Sequence, residues 1–359
     1  MRTTYSPRVA IPARNEAARL PGIVRALAGQ SWQRLSGAVL PVVIVLNNSD
    51  DGSREILETV IANTPSLSVT IVDVRFSKDD AHVGSARRLA MEVAISQEGP
   101  EPLVLLTTDA DAIPDTRWVE ANIAAIDTGA DVVGGEIFGD EDEERSLGPG
   151  FCRRASLHRT YTRLADDLAA LIDPLEYDPA PRHTDHSGAS IAVTAAAYRA
   201  VGGLRALPVR EDIDLVERLL LAGFKLRHDP AVKVTVSARL VGRARNGMAN
   251  CIREWVEQEA VGMPHLVEGP LRIERRHASR RAIRTTDFRR PVEVASLANT
   301  LGVDLSRLLD SDGGPLGINH LIARHAPAEL DAPGTTPVDQ AIAAIMERIA
   351  QREGRAHAA

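Results

Sequence analysis

Residues 103–112 read Leu103-Val104-Leu105-Leu106-Thr107-Thr108-Asp109-Ala110-Asp111-Ala112. Four apolar residues run without interruption into two threonines and an Asp-Ala-Asp triplet. A short continuous apolar run describes a strand covered on both faces, as in the parallel sheets of α/β proteins. Open α/β sheets bind their ligands outside the carboxyl ends of their strands. Alternate residues of an extended segment face the same way, so Asp109 and Asp111 are expected to point at one site. Two carboxylates there suit a hard divalent cation that also holds a phosphate. A solvated turn, with Asp favoured for its local hydrogen bonds, is the plainer alternative.

The flanking sequence repeats the pattern. Upstream, residues 8–13 and 41–46 (PVVIVL) read as strands, as do 68–74. Helices are expected over 17–29, 54–63 and 84–96. The turn Asn47-Asn48-Ser49-Asp50-Asp51-Gly52-Ser53 is dense in loop-forming residues. Downstream, a helix is expected over 116–128, a strand from Val132 and a helix over 151–173. Residues 139–145 (GDEDEER) read as a solvated acidic loop, and 174–187 as an irregular loop. Strands are expected at 188–193 and 231–238. A helix over 212–222, with Ile213, Val216, Leu219 and Leu220 on one side, is stopped by Gly223. Strands alternating with helices give an α/β fold, a doubly wound and mostly parallel sheet with helices on both faces. From residue 247 the pattern is helical and more polar, with a last helix over 338–352. The expected domains are therefore 1–246 and a mainly helical C-terminal extension, 247–359.

Composition narrows the function. Of 359 residues, 44% are hydrophobic, which suits a globular protein, but only 3% are aromatic, so the core must be aliphatic. A net charge of -7 argues against general nucleic-acid affinity. Two cysteines, Cys152 and Cys251, fit a reducing compartment and supply no disulfide framework. No apolar run approaches the roughly 20 residues that span a bilayer, and the N-terminus lacks a signal-peptide core. A cytoplasmic location is expected. Residues 272–290 hold eight arginines against Glu274 and Asp287. This stretch reads as a solvated helix face or linker, or as a contact for an anionic acceptor or a peripheral membrane surface.

Several motifs, taken in order, resemble family-2 glycosyltransferases of the GT-A fold. Val9-Ala10-Ile11-Pro12-Ala13-Arg14-Asn15-Glu16 is similar to their opening strand and turn, and the Asn47–Ser53 turn to their second-strand turn. Gly84-Ser85-Ala86-Arg87 resembles a helix start of that family in shortened form. Asp109-Ala110-Asp111 resembles their metal and nucleotide motif. Gly188-Ala189-Ser190, with Tyr198 and Gly202-Gly203, resembles their acceptor-side segment, and Arg210-Glu211-Asp212-Ile213-Asp214-Leu215 their Glu-Asp motif. The match spans about residues 8–245. The resemblance implies an inverting, metal-assisted transfer of a hexosyl group from a UDP- or GDP-sugar to an acceptor hydroxyl. It implies Pro12, Ala13, Asn15, Glu16, Asn48, Asp50, Arg87 and Asp109 as nucleotide-sugar contacts, and His186 and Gly188 on the acceptor side.

The chemistry can also be argued from the residues. A sugar leaving a nucleoside diphosphate develops negative charge on the diphosphate, which Mg²⁺ or Mn²⁺ held by Asp111 with Asp109 would stabilise. A carboxylate near the anomeric carbon would take the acceptor proton. Asp212, after a loop and at a helix start, is the candidate base, with Glu211 orienting the acceptor or its neighbours. Both acids would equally well cap that helix and complement its dipole.

The chain also departs from the family. Asn47-Asn48 stands where many relatives carry paired aspartates, and Arg88 where they often carry Asn. Val236-Ser237-Ala238-Arg239 stands where some add a histidine ligand. His183, Asp185 and His186 lack the further His or Cys partners of a zinc site and are read as loop lining the acceptor pocket. Arg239, Arg243 and Arg245 are placed to close over a diphosphate, or else form a solvated basic loop. Two other classes compete: a nucleotidyltransferase making a sugar nucleotide, which should carry a Gly-rich, basic first turn, and a non-catalytic nucleotide-sugar-binding or scaffolding protein.

Overall fold

A computed structural model describes residues 5–97, 102–242, 248–328 and 332–358. The chain begins β1 (Ser6–Ala13), α1 (Leu20–Ala28), α2 (Ser31–Ser36), β2 (Leu40–Asn47), α3 (Ser53–Ile61), β3 (Leu67–Val74) and α4 (Val83–Ser96). It continues β4 (Leu103–Thr107), β5 (Ala112–Pro114), α5 (Trp118–Asp127), β6 (Val132–Gly139), α6 (Glu141–Ser146) and α7 (Pro149–Ile172). Next come β7 (Ile191–Thr194), α8 (Ala195–Ala200), α9 (Glu211–Leu221), β8 (Leu226–Val236) and α10 (Met248–Ala260). The remainder is β9 (Leu266–Val267), α11 (Pro270–Thr285), α12 (Pro291–Leu301), a 3-10 turn (Leu305–Leu308), α13 (Ile318–His325), β10 (Thr336–Pro337) and α14 (Val338–Ala358).

Two compact units result: residues 1–151 with 183–257, and residues 152–182 with 258–359. The expected division at residue 246 is thus drawn differently. Most of α7 belongs with the C-terminal helices because its apolar face is buried among them: Tyr161, Leu164, Leu168 and Ile172 pack with Val267, Ile273, Val338, Ala341 and Ile345.

The first unit holds an eight-stranded sheet in the order β3-β2-β1-β4-β7-β6-β8-β5. β3, β2, β1 and β4 are mutually parallel, and β6 is parallel to β8. β7 runs antiparallel between β4 and β6, and β5 antiparallel to β8. The sheet is the mostly parallel, doubly covered one expected from the apolar runs. Successive strand residues serve opposite faces. Ile11, Ile44 and Leu106 join Ile23, Leu27, Trp118 and Ile126 on one face. Ala10, Val43, Val45 and Leu105 join Ala86, Ala90, Met91, Leu215 and Leu219 on the other.

Two local readings are corrected. The acidic stretch expected to be a loop is helix α6: the Asp140 side chain accepts from the backbone N–H of Asp142 and of Glu143, and four acids complement the helix N-terminus. The Asp-Ala-Asp triplet is not extended. Ala112 N–H donates to Asp109 O at 3.2 Å, closing a turn that carries the chain from β4 into β5.

In the second unit, the basic stretch is mostly helix α11, and its arginines do not form one free basic face. Arg276 pairs with Glu268, Arg284 with Asp173, Arg289 with Asp287 and Arg290 with Glu293, while Arg281 donates to Ile172 O. No helix among the described residues is long and apolar enough to cross a membrane.

A polar chain also runs through this unit. Arg154 Nη1 meets His265 Nδ1 at 3.2 Å, and His265 Nε2 meets His158 Nδ1 at 3.0 Å. An arginine only donates, so His265 accepts at Nδ1 and donates from Nε2, and both imidazoles must be neutral. Burial lowers both pKa values, with His158 and Arg154 adding to the effect on His265, which falls to about 4. The stabilisation is therefore complete above about pH 6.5, the ordinary histidine value, and is lost as pH falls toward 4. We expect the melting midpoint to drop between pH 7 and pH 5. A His158→Asn/His265→Asn double variant should drop less steeply, and parallel curves would contradict this account.

Candidate active site

Three strands end together at one edge: β1 at Ala13, β2 at Asn47 and β4 at Thr107. The turns leaving β1 and β2 clasp each other. Asn15, with φ of 53°, accepts from Asp50 N–H at 2.9 Å through its side chain. The N–H groups of Asn15, Glu16 and Ala17 donate to Ser49 Oγ (3.0 Å), Ser53 Oγ (3.1 Å) and Asp51 Oδ2 (2.9 Å). Asn48, with φ of 50°, pairs both ends of its amide with the backbone of Phe76, at 2.9 and 3.0 Å. Asn15 and Asn48 are thus braces of the turn, and Asp50 is its exposed acid. Pro12 and Ala13 are buried at the end of β1.

Arg87, in the first turn of α4, is 3% exposed and joins segments far apart in sequence. Its Nε donates to Glu211 Oε1 at 3.0 Å and its Nη2 to Asp109 Oδ1 at 2.7 Å. Its Nη1 donates to Thr107 Oγ1 at 2.9 Å and to Gly188 O at 2.8 Å. Burial opposes its charge, but Asp109, Glu211 and Asp212 outweigh that and hold its pKa above the usual arginine range. Glu211 is also buried, which raises its carboxyl pKa despite Arg87. Gly188 N–H donates to Asp212 Oδ2 at 2.5 Å, and Ile213 N–H to Asp212 Oδ1 at 2.8 Å. The residue before this pair, Arg210, has φ of 59°, and this left-handed turn starts α9.

Asp111 lies in a second network. Arg239 Nη2 is 2.9 Å from Asp111 Oδ2, and the same guanidinium holds buried Glu16 in a fork at 2.9 and 2.6 Å. Burial and the adjacent Asp109 push the Asp111 carboxyl up to about 6, against the pull of Arg239. The segment carrying Arg239 is pinned in turn: Glu143 Oε2 accepts from Ser237 Oγ and Ala238 N–H, each at 2.7 Å, and Glu143 pairs with Arg19 at 2.6 Å. Glu143 was invisible in sequence because it lies in the acidic stretch read as a loop. The only signal was Asp140, a helix-capping residue immediately before a run of acids. Arg243 and Arg245 lie outside the described residues.

The 183–190 segment forms the remaining wall. His186 Nδ1 is 3.2 Å from His228 Nε2, and burial, with His228 beside it, lowers the His186 pKa to about 4. Asp185 braces this wall: its Oδ2 accepts from Ile137 N–H at 3.0 Å. No group of three or more His, Cys, Asp or Glu placed to hold a metal occurs among the described residues. The sequence candidates therefore fall into two joined sets: Arg87, Asp109, Glu211, Asp212 and Gly188 in one, and Glu16, Asp111 and Arg239 in the other. Asp109 and Asp111 interact electrostatically and link the two.

Residues 8–174 match the family described as Glycosyl transferase family 2. The matched segment carries the β1 turn, Arg87, Asp109 and Asp111; Gly188, Glu211 and Asp212 lie beyond it. That segment, a little under half of the chain, is similar to the family its motifs resemble. No curated protein matches the chain. Among solved structures, a Pyrobaculum calidifontis mannosyltransferase, PcManGT, in complex with GDP-Man and Mn²⁺ is similar at 15% identity, covering 99% of this chain and 77% of its own, with a TM-score of 0.46. TarS of S. aureus is similar at 13% identity over 86% of this chain, with a TM-score of 0.46; the match spans 50% of TarS. GalNAc-T7, with UDP, GalNAc and Mn²⁺, is similar at 13% identity over 91% of this chain and 59% of its own, with a TM-score of 0.47.

Gly188 leaves room for Arg87. A Cβ added there would lie 2.6 Å from Arg87 Cζ. The guanidinium has no free direction in which to yield, since its nitrogens hold four partners. We expect Gly188→Ala to lower unfolding stability by about 1–3 kcal/mol in a urea titration and to abolish turnover. An unchanged midpoint would show that Arg87 is free to move.

Proposed function

We propose that this protein transfers a hexosyl group from a UDP- or GDP-sugar to an acceptor hydroxyl, with inversion and with Mg²⁺ or Mn²⁺. The observation that carries this reading is an imbalance of charge where β1 and β4 end. Five carboxylates, Glu16, Asp109, Asp111, Glu211 and Asp212, are answered in these networks by Arg87 and Arg239 alone. Such a site repels an anionic donor unless a cation comes with it.

The residues fit a divalent metal. Asp109 and Asp111 present hard oxygen donors on one turn, and the crowding that disfavours ionisation of Asp111 is what a cation relieves. Asp111, with Asp109, would hold the ion, and the ion would supply Lewis-acid stabilisation to the departing diphosphate. Two side chains leave the remaining coordination positions to water and phosphate oxygens. Asp50 and the buried end of β1 at Pro12 and Ala13 border the space for the nucleoside, while Asn15, Glu16 and Asn48 hold that border in shape.

Asp212 is the base in this reading. Two backbone N–H groups, of Gly188 and Ile213, hold its carboxylate from two sides. It takes the proton of the acceptor hydroxyl as that oxygen bonds to the anomeric carbon. The bond from that carbon to the diphosphate breaks, and the electron pair leaves with the diphosphate. Glu211 is committed to Arg87 and acts by positioning. His186, neutral at ordinary pH, borders the acceptor side as a hydrogen-bonding group. A nucleotidyltransferase reading has less support: the N–H groups of the first turn that would cradle a triphosphate are already bonded to Ser49, Ser53 and Asp51.

Thermal melts with UDP, GDP and their sugars, with and without Mn²⁺, test the donor. One nucleotide should raise the midpoint by mass action only with metal, and Asp111→Ala should lose that rise. No shift with any of them would remove the transferase reading. Asp212→Asn should lower kcat by about 10²–10⁴-fold while keeping the metal-dependent nucleotide shift. Retained turnover would disqualify Asp212 as the base.

A further inference from the structure

The basic stretch around α11 has a part that neither packing nor the sugar-transfer site accounts for. Ile273, His277, Arg280 and Arg284 recur at helical spacing on one side of α11, with Ile273 and His277 buried. Arg284 pairs with Asp173, and Arg182 donates to the Asp173 and Asp178 carbonyl oxygens at 3.0 and 2.9 Å. Arg276 forks onto Glu268. Arg182, Arg276 and Arg284 thus each have a protein carboxylate within reach, in Asp178, Glu268 and Asp173.

Arg280 does not. Its Nε donates to Ala326 O at 2.8 Å, and no described residue supplies an acceptor for Nη1 or Nη2. Burial and the neighbouring Arg276 and Arg284 lower its pKa to about 10, with Asp173 only partly offsetting them. One turn away, His277 is 8% exposed and its Nδ1 has no hydrogen-bond partner. Burial and the surrounding Arg280, Arg276, Arg182 and Arg284 lower its pKa to about 3, so it is neutral and able to donate one N–H. A half-buried cation with no described carboxylate to answer it thus lies one helical turn from a buried imidazole nitrogen with no partner, and a buried polar atom left unpartnered is costly.

We propose that Arg280 and His277 form a binding site for a phosphoryl group, separate from the sugar-nucleotide site. A guanidinium fork takes two oxygens of an oxyanion. A carboxylate has only those two, which would leave His277 unanswered. A phosphoryl group offers a third oxygen for the His277 N–H. The excess of one positive charge over the local carboxylates matches a phosphate diester or a singly ionised monoester. The phosphoryl group would belong to a phosphorylated metabolite or sugar, or be free phosphate.

The test uses the full chain and inorganic phosphate, with sodium chloride and acetate at equal ionic strength as controls. Phosphate should raise the melting midpoint over chloride, and acetate should raise it less. Arg280→Gln should lose the phosphate response while melting no lower than the wild type without phosphate, since it removes a half-buried positive charge crowded by Arg276 and Arg284. Arg280→Lys, which keeps the charge but not the fork, should bind phosphate about tenfold more weakly by calorimetry. Glycerol phosphate binding as well as phosphate would assign the site to a phosphorylated molecule; phosphate alone would assign it to the free ion. Equal responses to phosphate and acetate, or an undiminished phosphate response in both variants, would overturn the proposal. Because Arg280 lies outside the transfer site, the metal-dependent nucleotide shift should survive in Arg280→Gln, so this test can fail while the transferase reading stands.

Discussion

The site depends on one buried guanidinium. Asp109, Glu211 and Asp212 come from segments about a hundred residues apart, and their mutual repulsion would drive them apart without Arg87 among them. A charged arginine is costly to bury unless its donors are all satisfied, and here Glu211, Thr107, Gly188 and Asp109 take every nitrogen. The same cation therefore aligns the turn after β4, the loop before β7 and the start of α9. Its hydrogen bonds all go to the protein, and they set where Asp109 and Glu211 stand. Arg239 does the matching task for Glu16 and Asp111.

Much of the fold was legible because continuous apolar runs such as PVVIVL and LVLL have one common explanation, a strand with helices on both sides. Strand direction was not legible. Nothing in Ile191–Thr194 marks it as antiparallel, since direction is decided by the connections and not by the run itself. The acidic helix escaped because none of its residues is buried, so it carries no apolar period. It is held by its cap, its dipole and the reach of Glu143 to the strand end at Ser237.

Sequence offered a set of candidate residue types and less of their surroundings. Asp109, Asp111, Glu211 and Asp212 were singled out from their places at strand and helix ends, and the structure brings them near one another. Arg87 was read as a contact for base or phosphate, yet the structure spends it entirely on the protein. Asn48, read as a nucleotide contact, has its amide tied to Phe76. The ambiguity is physical: an arginine or asparagine at a strand or helix end is equally able to face a ligand or to support the wall behind it, and sequence does not say which way it faces. The charge of α11 gave a similar lesson, since eight arginines in a row of nineteen residues look like a surface but are mostly engaged from within the unit.

The placement of β7 has a consequence for how the chain is made. β4 and β6 are complete by residue 139, but both pair with β7, which is not synthesised until residues 191–194. During that interval β4 has an open edge where the finished sheet has none, and β6, whose neighbours are β7 and β8, has no strand partner at all. Unpaired strand edges are the usual route to wrong partners. The ribosome thus leaves the centre of this sheet unpaired for some fifty residues of elongation, and Arg87 waits longer still, since Glu211, the last of its four partners to be made, follows the strand that fills the gap.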